Sequence, residues 1–562
     1  MPKVVKKAKK KLGAGRISVG LSVRETSNLR PRLIPKIPPC MGACPNSVPV
    51  REALMTISLS EAFGRTHEDS LREAWKIITH VNPLPAICGR ICPHPCETEC
   101  NRSHLEGAVA INDLERFIGD YGIQQGLEFE KPAETYRERI AVIGSGPAGL
   151  SCAYHLARRG YPVTIFEAFV KPGGMLRYGI PAYRLPRDIL DAEINRILNL
   201  GVELKCSTVV GRDVSLDDLK RDYRAVFIGI GAHKGVNLHV EGEDASNVFT
   251  GAEFLNRVNS GEEIDVGDRI VVIGGGDSAI DAARVSKRLG AEATILYRRT
   301  IKEMPAIADE IHEAEAEGIR FEFLAAPVAI LRDASNGAKA IGMRCIRMKP
   351  GEPDESGRPR PVPITGSEFE VEATAIIAAI SQEPDFTGFE PFRDGRDWIK
   401  VDEDGRTGAD GTYAGGDALE LGLVTIANYH GRRASAAIHA HFRHIPVERD
   451  EQLPLITHDK MKLEFYEEKH RVDVQTLPVS ARFAPMDLEI TQTLSWESAM
   501  EEAKRCMSCG MCFDCGTCWS FCQDNAIIKP QEKGQPYSFK MEFCQGCKKC
   551  AEECPCGFIE ME

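Results

Sequence analysis

Eight cysteines near the C-terminal end stand in two copies of one spacing. Cys512, Cys515, Cys518 and Cys522 form C-x2-C-x2-C-x3-C, and Cys544, Cys547, Cys550 and Cys554 repeat it, with Pro555 following. Gaps of two and three residues gather thiolates around a common point, a pattern of metal ligation rather than cross-linking. Eleven of the 20 cysteines lie between Cys506 and Cys556. The N-terminus carries charge without an apolar stretch, so no export signal is expected. The expected compartment is a reducing cytoplasm, where thiols stay free to bind metal. No apolar run approaches the ~18 residues of a membrane span. A net charge of −12 argues against nucleic acid as a partner.

The repeated spacing resembles the ligand runs of two-cluster bacterial ferredoxins, in which three cysteines of one run and the last of the other hold each [4Fe–4S] cluster. The resemblance implies one cluster on Cys512, Cys515, Cys518 and Cys554, and a second on Cys544, Cys547, Cys550 and Cys522. Trp519, Phe521 and Phe558 stand near these cysteines, as shields for the clusters or as contacts for a partner.

Two glycine-rich loops lie upstream. RIAVIGSGPAGLSCAYHLARRGYPVTIFEA reads strand, tight loop, helix, strand, with Gly144, Gly146 and Gly149 giving G-x-G-x-x-G. The first glycine permits the turn, the second admits a pyrophosphate, and the third packs helix on strand. The helix N-terminus favours the phosphates. Glu167 ends the second strand, where a carboxylate accepts hydrogen bonds from a ribose diol. The second copy, RIVVIGGGDSAIDAARVSKRLGAEATILYRR, has Gly274, Gly276 and Ala279, and its second strand ends in Arg298 and Arg299. Guanidinium groups there pair with a 2′-phosphate, so this loop leans towards NADP(H) over NAD(H).

GGMLRYGIPAYRLP (residues 173–186) and YAGGDALELGLVTIANYHGRRA (residues 413–434) resemble segments of the small subunit of bacterial glutamate synthase and its relatives. VFIGIGAHKG and AAISQEPD resemble the loops where that family's two nucleotide domains meet. The resemblance implies an FAD site on Gly144, Gly146, Gly149, Glu167, Gly174, Asp417 and Thr425, with Tyr178 and Arg184 as candidates for tuning the flavin. His430 reads more simply as a surface or satisfied core histidine than as an acid–base group. The implied fold is an α/β flavoprotein with two nucleotide-binding domains, disulfide-reductase-like. A helical N-terminal Fe–S domain precedes it and a C-terminal two-cluster ferredoxin-like domain follows it.

The expected organisation is a basic arm over 1–37, a helical Fe–S domain over 38–138, and an FAD domain split into 139–264 and 376–445. An NAD(P) domain over 265–375 is inserted in it. A linker over 446–500 crosses the surface, and the ferredoxin-like domain fills 501–562. The arm is either solvated or wrapped on an acidic neighbour.

Cys40 and Cys44 in PPCMGACPNSVPV, with Cys88, Cys92, Cys96 and Cys100 in CGRICPHPCETEC, resemble the iron–sulfur domain of the glutamate synthase small subunit and of dihydropyrimidine dehydrogenase. That resemblance implies a cluster on Cys44, Cys92, Cys96 and Glu115; the plainer reading of Glu115 is an exposed helical acid. The family's C-x2-C pair ahead of Cys40 is missing, and the same phrase occurs as EEAKRCMSC. A tail that folds back would give a further cluster on Cys40, Cys100, Cys506 and Cys509. The alternative is three clusters, with Cys506 and Cys509 idle. Cys88 is left as a candidate ligand and Cys556 as a bystander, while Cys152, Cys206 and Cys345 read as small hydrophobes.

The function implied is an NAD(P)H:acceptor oxidoreductase that needs no catalytic side chain, since hydride passes from nicotinamide C4 to flavin N5. Body and tail together resemble the family members that accompany dissimilatory sulfite reductase. That implies this reductase or its small sulfur-carrier protein as partner, in sulfur metabolism. A glutamate synthase small subunit and an NADPH:ferredoxin or metal-acceptor oxidoreductase subunit are the alternatives, and a homo-oligomer is left open.

Overall fold

The computed structural model describes residues 26–333, 337–354, 357–395 and 398–562. Two parallel sheets of five strands form its centre. The first runs Thr412–Ala414, Ala225–Ile228, Ile140–Ile143, Val163–Phe166 and Glu203–Lys205. Its middle strands are buried on both faces, as continuous apolar runs such as IAVI require when helices cover both sides. The strand Thr412–Ala414 completes this sheet from beyond the inserted domain.

The second sheet runs Arg320–Phe323, Glu292–Tyr297, Arg269–Ile273, Ala375–Ala378 and Val248–Thr250. Its outer strand Val248–Thr250 lies ahead of the boundary expected at 265, and Ala375–Ala378 runs past 375. The reason is pairing: Ala375–Ala378 is an inner strand, and its outer edge is covered by Val248–Thr250, one helix ahead of the strand that leads into the second glycine loop. An antiparallel three-stranded sheet, Ala325–Arg332, Ala340–Pro353 and Pro359–Glu372, projects from this domain.

Residues 39–124 form short helices, of which His67–Thr79 and Ile111–Gln124 are the longest. The helix Pro85–Ile91, which leads into Cys92, is held from outside the helical region. Glu193, fully buried on the helix Arg187–Leu198, accepts hydrogen bonds from Ala86 N–H and Ile87 N–H, each at 3.1 Å. Both are first-turn donors without a partner inside their own helix. Glu193→Ala is expected to cost about 3 kcal/mol, because two buried N–H groups lose their acceptor. Burial pushes the Glu193 carboxyl up to about 7. Folded protein therefore binds this proton more tightly than unfolded chain, so stability falls as pH climbs from about 4.3, the ordinary glutamate value, through the folded value. Chemical denaturation across that window should show a shallower fall for Glu193→Gln.

The segment 446–500 does more than cross the surface. Ile490 is buried in the core of the second nucleotide domain, and its N–H donates to the Tyr183 carbonyl at 3.2 Å. Arg482 pairs with Glu313 and Glu317 of the same domain, and Glu489 pairs with Arg90 at 2.7 Å and Arg116 at 2.9 Å in the helical region. The segment is a strap that fixes one domain against the other. Of the expected basic arm, residues 1–25 lie outside the described residues. The remainder adds a strand, Pro31–Leu33, antiparallel to Ile559–Met561 at the chain's far end. Among the described residues no helix is long and apolar enough to cross a membrane.

Candidate active site and cluster cavities

The first glycine loop follows the strand Ile140–Ile143 and opens the helix Pro147–Arg158. It lines a cavity of about 710 Å³. Glu167, at the end of the neighbouring strand, is buried in its wall. Its Oε2 accepts from Ser145 N–H at 2.9 Å and its Oε1 from Phe169 N–H at 2.8 Å. Oε2 also accepts from Ser145 Oγ, so Oε1 is the oxygen that keeps a further lone pair for a ribose hydroxyl. Gly174 closes over the loop with φ of +52°, and a Cβ there would lie 2.8 Å from Gly146 Cα. Only glycine permits that approach of two backbones.

Across the cavity stand Gly416, Asp417 and the start of the helix Val424–Arg443. Burial raises the Asp417 carboxyl to about 6, and Gly422 N–H donates to it at 3.2 Å. His430 Nδ1 accepts from Gly416 N–H at 3.2 Å, and burial lowers the ring's pKa. A neutral acceptor that holds the Asp417 loop is a positioning role. Thr425 is buried beside Cys92.

The second loop, with Gly274, Gly276 and Ala279, opens the helix Asp277–Arg288, and Asp277 and Ser278 line the far end of the same cavity. Arg184 reaches across to it, pairing with Asp281 at 2.7 Å and Glu310 at 3.1 Å. Its guanidinium thus joins the two domains rather than lying free for a flavin. Tyr178 accepts from Lys171 N–H at 3.1 Å and packs on Phe169 at 4.3 Å. The two arginines at the end of the strand Glu292–Tyr297 part company. Arg298 is exposed, whereas Arg299 is buried, paired with Asp354 at 2.7 Å and donating to the Pro359 carbonyl at 2.9 Å. Arg299 is thereby committed to the projecting sheet, against the expectation that both arginines meet a 2′-phosphate.

All 20 cysteines are free thiols. Among the described residues no three histidine, cysteine, aspartate or glutamate side chains are disposed to hold a single metal ion. The sulfurs gather in four sets. Cys40, Cys100, Cys506 and Cys509 ring a void of about 30 Å³. Cys512, Cys515, Cys518 and Cys554 ring another of about 20 Å³, which Cys556 also lines. Cys44, Cys92, Cys96 and Glu115 share one electrostatic neighbourhood, as do Cys522, Cys544, Cys547 and Cys550. Burial pushes the Cys92 thiol up to about 12 and Glu115 to about 7. A thiol so displaced ionises at neutral pH only when a cationic centre takes its proton's place. Glu115 is buried, not an exposed helical acid.

The tail reaches the first void by folding back. Arg51 donates to the Cys509 carbonyl at 2.8 Å, and Arg505 to the carbonyls of Gly107 at 2.7 Å and Ala108 at 3.0 Å. Glu502 accepts from Ala110 N–H at 2.8 Å. Arg505 and Glu502 are both buried.

Residues 138–439 match the family described as pyridine nucleotide-disulphide oxidoreductase, and residues 33–127 match dihydropyrimidine dehydrogenase domain II, 4Fe-4S cluster. The chain belongs to the pyridine nucleotide-disulphide oxidoreductase family. The NADPH-Fe(3+) oxidoreductase subunit beta of Geobacter sulfurreducens is 35% identical over 87% of this chain and 77% of its own length. The small chain of glutamate synthase [NADPH] of Escherichia coli is 35% identical over 66% of this chain and 84% of its own. The NADP(+)-dependent formate dehydrogenase subunit beta of Moorella thermoacetica is 40% identical over 72% of this chain and 60% of its own.

The family and the site agree. This flavoprotein is an oxidoreductase that uses FAD, a nicotinamide dinucleotide and [4Fe–4S] clusters. The cradle of Gly146 and Gly174 fits the dinucleotide, and the all-thiolate sets suit iron–sulfur ligation. Bound FAD supplies the exchange between a two-electron hydride and single electrons. The chain's own residues position and enclose. Glu167 and Asp417 offer acceptors from opposite walls, His430 fixes the Asp417 loop, and Arg184 holds the second domain against the cavity. Sequence reasoning missed Ser145, whose N–H bonds Glu167; Asn82, which bonds Glu115; and Asn428, which bonds Asn82 at 3.0 Å. Ser145 lies inside the quoted loop, but nothing in the chain flags two asparagines brought together from positions so far apart.

Proposed function

We propose that the chain transfers electrons between NADPH and a protein acceptor along a linear series of four clusters, and that the acceptor is dissimilatory sulfite reductase or its sulfur-carrier protein. The observation that carries the linear route is how consecutive sets share short turns. Cys40 lies within the turn Pro39–Ala43 and Cys44 directly follows it, and Cys96 lies within Pro95–Thr98 with Cys100 two residues beyond it. Cys509 and Cys512 are three residues apart, while Cys518 and Cys522, like Cys550 and Cys554, are four apart. Residues so spaced on a turn lie within about 5–6 Å of each other, so each set adjoins the next. Ile91 and Pro93, flanking Cys92, line the flavin cavity, which makes the Glu115 set the entry point.

The ligand sets are Cys44, Cys92, Cys96 and Glu115; Cys40, Cys100, Cys506 and Cys509; Cys512, Cys515, Cys518 and Cys554; and Cys544, Cys547, Cys550 and Cys522. The exposed Arg298 serves the 2′-phosphate of NADPH. The tail, with Trp519, Phe521 and Phe543 exposed beside the last set, gives the route an outlet. A second reading, a subunit that reduces a metal acceptor, is favoured by the 87% coverage shared with the subunit named NADPH-Fe(3+) oxidoreductase. Anaerobic turnover with NADPH separates the two. Reduction of sulfite reductase, with ferric citrate reduced at least tenfold more slowly, supports the first; the reverse order supports the second.

A further inference from the structure

Glu115, on the helix Ile111–Gln124, is not free to turn. Its Oε1 accepts from Asn82 Nδ2 at 2.7 Å. Asn82 is 0% exposed, and its amide can face only one way. Its Oδ1 accepts from Leu84 N–H at 3.1 Å, and a backbone N–H can only donate, so the amide nitrogen must point at Glu115. The same Oδ1 accepts from Asn428 Nδ2 at 3.0 Å, and the Cys88 thiol approaches it at 3.7 Å. Asn428 belongs to the helix Val424–Arg443, whose residues Val424 and Ala427 line the flavin cavity. Two buried amides therefore connect the wall of that cavity to the carboxylate beside Cys44, Cys92 and Cys96.

We propose that Asn82, braced by Asn428, is a positioning residue that engages one oxygen of Glu115, leaves the other as the sole oxygen ligand, and thereby sets how readily the entry cluster takes an electron. This rests on the Glu115 ligand set given under Proposed function. The physical reason is charge. A hydrogen bond donated to a ligand withdraws negative charge from it, and a less anionic ligand favours the reduced cluster. Cys88 faces the asparagines and is not a ligand in this arrangement.

The test compares anaerobically prepared wild type, Asn82→Leu, Asn82→Asp and Glu115→Ala. It reads iron content, the low-temperature EPR signal after NADPH, and the reduced fraction of the entry cluster at a fixed NADPH/NADP⁺ ratio. Asn82→Leu is expected to keep its iron, alter the line shape and lower that fraction about tenfold. Should it fail to fold, Asn82→Asp keeps the contacts to Leu84 and Asn428 while setting an acceptor against Glu115, and a larger loss in the same direction is expected. Wild-type line shape and fraction in both variants, with a changed signal in Glu115→Ala, would leave the ligand set standing and overturn the role of Asn82. An unchanged iron content and signal in Glu115→Ala would overturn both.

Discussion

Replacing Cys506 and Cys509 together by alanine is expected to lower the iron content from about 16 to about 12 atoms per chain, at four per cluster, and to cut the route in the middle. These residues ring a void with Cys40 and Cys100, and on the proposed route they stand between the entry set and the tail. NADPH should still bleach the flavin of the variant, because the 710 Å³ cavity contains neither residue. Reduction of the tail clusters by NADPH should slow by at least about 100-fold, the route having lost a link with no parallel. Chemical reduction by dithionite should still reach them, so rapid mixing with each reductant distinguishes a cut route from a damaged tail. Wild-type protein with about 12 iron atoms, unchanged in the variant, would instead mean that Cys506 and Cys509 hold nothing. Cys556→Ala is the matched control: it lines the next void, but its sulfur lies 3.8 Å from that of Cys554 and it is assigned to no ligand set.

The second large effect concerns the nicotinamide. Arg298→Glu should lower kcat/KM for NADPH relative to NADH by about 100-fold, because a guanidinium bonded to a phosphate contributes about 1.5–3 kcal/mol and a carboxylate there repels it. Arg299→Glu should behave differently. Its partner is the half-buried Asp354, and two like charges there, one of them buried, destabilise by about 3 kcal/mol. Thermal unfolding should therefore drop sharply for Arg299→Glu, with the coenzyme ratio of the surviving protein near wild type. A switched ratio in Arg299→Glu, or an unswitched one in Arg298→Glu, contradicts this division of labour.

Much of the architecture was legible because glycine loops and cysteine runs are local devices. Gly144, Gly146 and Gly149 stand within six residues, and their meaning lies in backbone sterics that the neighbours cannot change. The strands beside them are apolar on both faces and read directly as buried parallel strands. The boundary of the inserted domain was less legible. Val248–Thr250 is three residues long, and nothing local says which of two sheets it will join. The two arginines look equivalent in YRR, but both lie in the bend just past Tyr297, where one meets solvent and the other Asp354.

Ligand chemistry, the nucleotide loops and the alternation of strands and helices were therefore set by neighbours along the chain, where spacing alone dictates geometry. Folding in three dimensions decided what depends on distant partners. It carried Cys506 and Cys509 back to Cys40 and Cys100, gave Arg184 to Asp281, made residues 446–500 a strap, and set Asn82, bonded by Asn428, against Glu115. Buried charges and amides must find partners wherever the fold supplies them, and that supply is written in no local stretch of sequence.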